Sequence, residues 1–233
     1  MKAAAIIVAG GRGTRMGADV PKQLLLLEGK SILERALLPF LRCDSVGSIV
    51  VTVAEEIQGA VEQIVRDLGE EGKIRVVRGG AERQESVWNG LSALPDNPEV
   101  VAVHDAVRPF ITAALIAGCI EGAANFGAVT VSRRLKETVK LVENGVVVET
   151  VDRDRFRLTQ TPQAFRTELL VRAHQRARAE GFTGTDDCML VERLGFPVHV
   201  IEGSDMNIKI TTPADLLLAG AILSRFEKGG DAC

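Results

Sequence analysis

Tyrosine is absent from the 233-residue chain, tryptophan occurs once, and aromatic residues make up only 4% of it. So few π-faces argue against a protein that stacks single-stranded nucleic acid. A surplus of positive charge is missing too: 28 Lys and Arg stand against 31 Asp and Glu, a formal charge of -3. Without a global positive field no nucleic-acid partner is expected, and any anion site has to be local. The four cysteines, Cys43, Cys119, Cys188 and Cys233, lie far apart and never form a C-x-x-C pair. Reduced, buried thiols are therefore favoured over metal or redox chemistry. No apolar stretch approaches ~18–20 residues, and no charged segment leads into a signal-like apolar run. A soluble, cytoplasmic protein with no membrane partner is expected. Against these absences the bulk composition is ordinary, with 46% hydrophobic and 25% charged residues, which excludes disorder and collagen-like scaffolds. At ~100–200 residues per domain, the length suits one large domain or two small ones.

The chain opens on Ala3-Ala4-Ala5-Ile6-Ile7-Val8-Ala9, a continuous apolar run closed by Gly10 and Gly11. That is the pattern of a strand buried on both faces. Ser31 is placed to cap a helix whose apolar positions Ile32, Leu33, Ala36, Leu37, Phe40 and Leu41 recur at three- and four-residue spacing. Strands are predicted over 49–53, 74–77, 100–104, 127–132 and 198–201. Helices are predicted over 55–68, 83–94, 112–124, 166–179, 186–194 and 213–225. Alternation of this kind with short connections predicts an α/β fold: a single Rossmann-like domain over 1–233, its mostly parallel twisted sheet covered by helices. One stretch breaks the rhythm. Between two β-branched runs, 138–142 and 146–151, sits Asn144-Gly145, a strong hairpin signal. It predicts a protruding β-hairpin arm at about 133–158, an excursion and not a domain boundary.

After the first strand comes Gly10-Gly11-Arg12-Gly13-Thr14-Arg15-Met16-Gly17, then Pro21-Lys22-Gln23. Such glycines let a backbone turn its N–H groups toward an anion at the carboxyl end of a parallel sheet. A P-loop would need Gly-Lys followed by Ser or Thr, and the dinucleotide fingerprint would need glycine at Met16; both templates fail. What remains is a glycine loop with the bases Arg12, Arg15 and Lys22, a composition suited to a triphosphate under attack at phosphorus. Asp105 follows the buried run ending Val103-His104, at the edge where α/β ligands bind. A carboxylate there suits Mg²⁺, which takes one or two protein oxygens plus substrate phosphates. The alternative, a helix cap, is better filled by Thr112.

The run Ala9-Gly10-Gly11-Arg12-Gly13-Thr14-Arg15-Met16 with Pro21-Lys22-Gln23 resembles the signature of the sugar-phosphate nucleotidyltransferases. Further segments narrow the resemblance: Gly79-Gly80-Ala81-Glu82-Arg83-Gln84-Glu85-Ser86-Val87, Val103-His104-Asp105-Ala106-Val107-Arg108-Pro109, Thr159-Gln160-Thr161-Pro162-Gln163, Thr185-Asp186-Asp187 and Asn207-Ile208-Lys209-Ile210-Thr211. Together, over nearly the whole chain, they are similar to the 2-C-methyl-D-erythritol 4-phosphate cytidylyltransferase family.

The resemblance implies a cytidylyltransferase that joins CTP to 2-C-methyl-D-erythritol 4-phosphate, releasing pyrophosphate, with Mg²⁺ as cofactor. It implies Arg15 and Lys22 as the catalytic bases and Ala9, Gly10, Gly11, Gly13, Gly80 and Ser86 as CTP contacts. For the polyol phosphate it implies Thr138, Arg153, Thr161, Asp186 and Lys209, and it puts Asp105 at the metal with Arg108 beside it. In the family the arm hooks around a second subunit, so a homodimer with shared sites is implied. Two departures stand out: Ala81 replaces the family's frequent Asp, leaving Glu82 as a possible substitute, and Met206 stands where many relatives carry an acid, with Asp205 displaced by one position. Arg83 keeps the pattern, although a first-turn helix residue can simply be exposed. A ribitol 5-phosphate cytidylyltransferase, or a non-catalytic nucleotide-binding regulator on the same fold, are the competing readings.

Overall fold

The computed structural model describes residues 3–10, 20–95 and 98–227. Gly11, Gly13 and Arg15 lie outside the described residues.

The first apolar run is strand β1 (Ala3–Ala9). It is apolar throughout because both faces of the sheet are covered there, while its edges pair with the parallel partners β4 (Val46–Val53) and β6 (Val100–Asp105). A short antiparallel pair, β2 (Leu26–Leu27) and β3 (Lys30–Ser31), comes between. Helix α1 (Ile32–Leu41) starts where its cap dictates: Ser31 Oγ accepts from Glu34 N–H at 3.0 Å. After a 3₁₀ turn, Glu55–Ile57, α2 (Gln58–Leu68) ends on Gly69, whose φ of +67° is left-handed. Strand β5 (Ile74–Arg78) and helix α3 (Arg83–Ser92) follow. Helix α4 (Ala113–Phe126) is capped by Thr112, whose Oγ1 accepts from Leu115 N–H at 3.2 Å.

After β7 (Ala128–Arg134) comes the arm, an antiparallel pair formed by β8 (Val139–Glu143) and β9 (Val146–Val151). Asn144 and Gly145 turn it with φ of 49° and 80°, the two positive values that a two-residue hairpin turn needs. Val146, Val147, Val148, Leu141 and Val142 on it are all exposed. Strand β10 (Arg157–Arg166) then enters the main sheet, followed by α5 (Thr167–Ala179), α6 (Asp187–Arg193), β11 (His199–Glu202) and α7 (Pro213–Glu227).

The seven-stranded sheet runs β11-β7-β10-β6-β1-β4-β5. All neighbours are parallel except β10, which is antiparallel to both β6 and β7. On one face Leu33, Leu37 and Phe40 of α1, Val61 of α2 and Ile116 of α4 bury against the strands. On the other, Val87 of α3, Leu170 of α5 and Leu190 of α6 do the same. A third cluster packs Ile222 and Ala219 of α7 against Leu27, Ile32 and Phe110.

The sequence reading did not anticipate β10. Proline is a poor central-strand residue because it donates no ladder hydrogen bond. Here Pro162 falls where the pairing with β7 slips between Thr159 and Gln163, so the missing donor coincides with a break in the ladder. Because β7 and β10 reach to Arg134 and Arg157, the arm proper is shorter than 133–158.

Candidate active site

The strand order reverses at β1. The chain runs outward through β4 and β5, then returns to the other side of β1 as β6. The carboxyl ends of strands at such a switch point leave a crevice for ligands. A cleft of about 1030 Å³ opens there, walled by Ala9, Gly10, Gly79, Gly80, Lys22, Asp105 and Lys209 among others.

One end of the cleft is built from backbone. Gly10 lies against Ser86, whose Oγ would be 3.2 Å from a Cβ at that position. Ser86 is buried, accepts from Gly80 N–H at 3.0 Å and donates to Glu82 O at 3.1 Å. Ala9, Gly10, Gly80 and Ser86, expected around the nucleoside, are therefore gathered at one wall. Glu82 lines the same cleft with an exposed side chain.

Charged side chains line the same cleft. Lys22 begins a 3₁₀ turn, Lys22–Leu24, tied to β1 by a hydrogen bond from Gln23 Nε2 to Ala9 O. Asp105 ends β6, with Lys209 Nζ 2.8 Å from Oδ2 and Arg83 Nε 3.2 Å from Oδ1. Arg108 Nε stands 3.8 Å from Oδ2 while its Nη1 donates to Asn207 O at 2.9 Å. Burial opposes ionisation of Asp105, but the cations Arg83, Lys209 and Arg108 win and hold its carboxyl well below the usual range. This ring bears directly on Mg²⁺. Both oxygens of Asp105 are engaged by cations, and among the described residues no group of three or more His, Cys, Asp and Glu gathers anywhere. A Mg²⁺ bound mainly through substrate phosphates needs only one or two protein oxygens, and Asp105 is a carboxylate on the cleft wall that could supply one.

Arg83 is no exposed first-turn residue. Its Nη1 lies 2.7 Å from Asp187 Oδ2, and Asp187 Oδ1 in turn lies 3.1 Å from His174 Nε2. Burial lowers the Arg83 pKa, yet Asp187 and Asp105 outweigh it and the net shift is upward. A chain of polar contacts thus runs from the cleft at Asp105 through Arg83 to Asp187 and His174, both buried, on α6 and α5. Nothing local in the sequence marks it, since the four elements that contribute, β6, α3, α5 and α6, are separate segments of the chain.

Thr161 and Asp186 do not line the cleft. Asp186 caps α6, accepting from Met189 N–H at 2.9 Å, and its other oxygen accepts from Gln163 Nε2 at 2.7 Å. Thr161 supports the floor: its Oγ1 accepts from Asp105 N–H at 3.0 Å and stands 3.0 Å from His104 Nδ1. Because Arg108 O, 3.0 Å from Nε2, can only accept, Nε2 carries the proton and Nδ1 accepts from the Thr161 hydroxyl. Burial lowers the His104 pKa to about 4. In the unfolded chain the ring takes a proton near pH 6.5, so folding stability should fall as pH drops from about 6.5 to about 4, by about 3 kcal/mol in all. Urea unfolding at intervals between pH 7 and 4.5 should show this loss in the wild type and a flatter profile in His104→Gln. Equal slopes would contradict it.

Thr138 and Arg153 are on or beside the arm and do not line their own chain's cleft. Arg153 donates to Lys136 O, while Lys136 and Arg133 pair with Asp205 across the arm's base. Asp205 therefore serves the arm.

A reversed parallel sheet, a backbone-built wall and a cation-ringed carboxylate at the strand ends together define an α/β nucleotidyltransferase. The family model for 2-C-methyl-D-erythritol 4-phosphate cytidylyltransferase matches residues 3–225, and the chain belongs to that family. A relative of that name from Geotalea uraniireducens (strain Rf4) is 48% identical over 226 residues, covering 96% of this chain and 97% of its own. One from Symbiobacterium thermophilum is 45% identical over 220 residues, with 94% and 91% covered. The crystal structure of 4-diphosphocytidyl-2C-methyl-D-erythritol synthase from Anaerococcus prevotii superimposes with a TM-score of 0.86 at 32% identity, covering 96% of each chain.

Proposed function

We infer that the chain joins CTP and 2-C-methyl-D-erythritol 4-phosphate to give CDP-methylerythritol and pyrophosphate, a step of isoprenoid biosynthesis. The observation that carries this reading is the cleft at the sheet reversal, lined by backbone of Gly10 and Gly80 and by Lys22, Lys209 and Arg83, in a chain of this family. An oxygen of the acceptor's phosphate attacks the α-phosphorus of CTP; the new O–P bond forms as the bond to the β-phosphate oxygen breaks, and pyrophosphate leaves with that electron pair. The nucleophile is already an anion and needs no general base. Catalysis then consists of holding two mutually repelling anions in line and stabilising charge at phosphorus.

In this reading Lys22 and Arg15 stabilise the α-phosphate, while Ala9, Gly10, Gly11, Gly13, Gly80 and Ser86 hold the nucleotide. Lys209 takes the acceptor's phosphate, with Asp105 and Arg83 fixing where Lys209 stands. Thr161 and Asp186 act from behind the cleft. A Mg²⁺ ion would be held by triphosphate oxygens together with the Asp105 carboxylate. With nucleotide and polyol phosphate as substrates, the enzyme works in the cytoplasm. The deciding experiment is pyrophosphate release with CTP, supplied in turn with 2-C-methyl-D-erythritol 4-phosphate and ribitol 5-phosphate. Release with the first and at most a trace with the second is expected. Release with ribitol 5-phosphate alone, or with neither, would overturn the reading.

The arm supports a homodimer. Its exposed Leu141, Val142, Val146, Val147 and Val148 are covered by a second copy, whose acceptor site receives Thr138 and Arg153. Mixing an Arg153→Ala chain with a Lys22→Ala chain should restore part of the activity, because one site of each heterodimer is then intact. No recovery in heterodimers that demonstrably form would count against shared sites.

A further inference from the structure

In the loop between β5 and α3, three successive N–H groups are spent on the protein itself. Gly79 N–H donates to Val53 O at 2.7 Å, Gly80 N–H to Ser86 Oγ at 3.0 Å and Ala81 N–H to Glu85 Oε2 at 2.8 Å. The loop is pressed so tightly onto the first turn of α3 that side chains are excluded: a Cβ on Gly79 would fall 2.8 Å from Ser86 Oγ, and one on Gly80 only 2.2 Å from Glu85 Cβ. All three residues line the cleft. What they still offer a ligand there is carbonyl oxygen, which only accepts.

We propose that Glu85 is a specificity-determining residue for the nucleobase, acting through Ala81: by occupying the Ala81 N–H it withholds that donor from the cleft and leaves the carbonyl oxygens of the loop to face the base, and so favours cytosine over uracil. The inference rests on the nucleotidyltransferase reading above. Cytosine presents an exocyclic amino group, a donor, at the ring position where uracil presents a carbonyl oxygen. A wall of acceptors bonds the first and meets the second lone pair to lone pair. Of the three N–H groups, only that of Ala81 depends on a carboxylate, and both residues are exposed, so substitution there leaves the core intact. Freed, the Ala81 N–H donates to uracil's oxygen and opposes cytosine's amino group.

The test compares kcat/KM for CTP and UTP, with 2-C-methyl-D-erythritol 4-phosphate as acceptor, in the wild type, Glu85→Ala and Glu85→Gln. The wild type should prefer CTP. In Glu85→Ala the preference should shrink roughly tenfold, about what one hydrogen bond gained or lost is worth. UTP should gain as CTP loses, whereas mere loosening of the fold lowers both together. Glutamine keeps an acceptor for the Ala81 N–H without the charge, so Glu85→Gln should retain most of the preference. An unchanged ratio in Glu85→Ala, or a Glu85→Gln ratio as relaxed as that of alanine, would overturn the proposal. A wild type without preference for CTP would instead remove the reading on which it rests.

Discussion

Lys22→Ala should lower turnover by about 10²–10³ with both substrates saturating, the usual consequence of removing one electrostatic stabiliser from a transition state. The expectation follows from where Lys22 stands. It opens a 3₁₀ turn at the mouth of the cleft, and the turn is anchored to β1 by its neighbour Gln23, so removing the ammonium leaves the anchor in place. The loss should fall on kcat more than on the KM for CTP, because the ammonium is needed most when charge builds up at the phosphorus. Lys22→Arg keeps the charge on a planar fork and should recover only part of the rate. Pyrophosphate release under saturation, alongside an unchanged thermal melt, is the measurement. Turnover within a factor of about three of wild type would place the charge stabilisation elsewhere.

Asp187→Ala should cost about 3–5 kcal/mol of folding stability, because it breaks a buried ion pair, leaving Arg83 with Asp105 as its remaining carboxylate and His174 Nε2 without its acceptor. The carboxylate is 1% exposed and faces Arg83 at 2.7 Å and His174 at 3.1 Å, so no water can replace it without opening the α5 and α6 packing. For a chain of this size each kcal/mol moves the melting temperature by ~2–4 °C, so a drop of about 6–20 °C is expected by calorimetry. The pH dependence provides an internal check. Burial raises the Asp187 pKa, but Arg83 and His174 overcome it and the net shift is downward. A carboxyl lowered on folding contributes fully above its unfolded value near 3.9 and loses that contribution as pH falls through the folded value. The gap between wild type and Asp187→Ala should therefore be constant near neutrality and narrow only in acid. A loss under about 1 kcal/mol would mean that Arg83 finds another partner.

Much of this was legible in the sequence, and the reason is local. Ser31 and Thr112 announce α1 and α4 because a hydroxyl before an apolar periodicity has one obvious use, and the Asn144-Gly145 turn is equally self-contained. The glycines after β1, and Asp105 at the end of β6, locate the cleft because strand ends and ligand sites coincide in this architecture. What escaped depends on distance along the chain. Strand β10 shows no alternation, since its Gln160, Thr161 and Gln163 are buried polar residues that answer to β6, β7 and the segment before α7, not to one another. His174 reads as an ordinary helical position until α6 brings Asp187 against it. The surroundings of Asp105 were hidden for a related reason: a carboxylate at a strand end reads as bare, whereas three cations from α3, the β6–α4 connection and the segment before α7 close on it.

The antiparallel strand at the middle of the sheet also constrains the order of assembly on the ribosome. β6 and β7 do not touch each other; β10 alone joins them. As synthesis proceeds from the amino terminus, β5, β4, β1 and β6 have every partner they need except one, and the long apolar edge of β6 stays open until residue 166 has left the exit tunnel. Open edges of that kind invite pairing with other nascent chains. The arm is made during that interval, so neighbouring chains on one message present unpaired β6 edges and adhesive hairpins at the same time. Slowing translation between residues 105 and 166 should then raise the yield of aggregate, and speeding it should raise the yield of soluble enzyme.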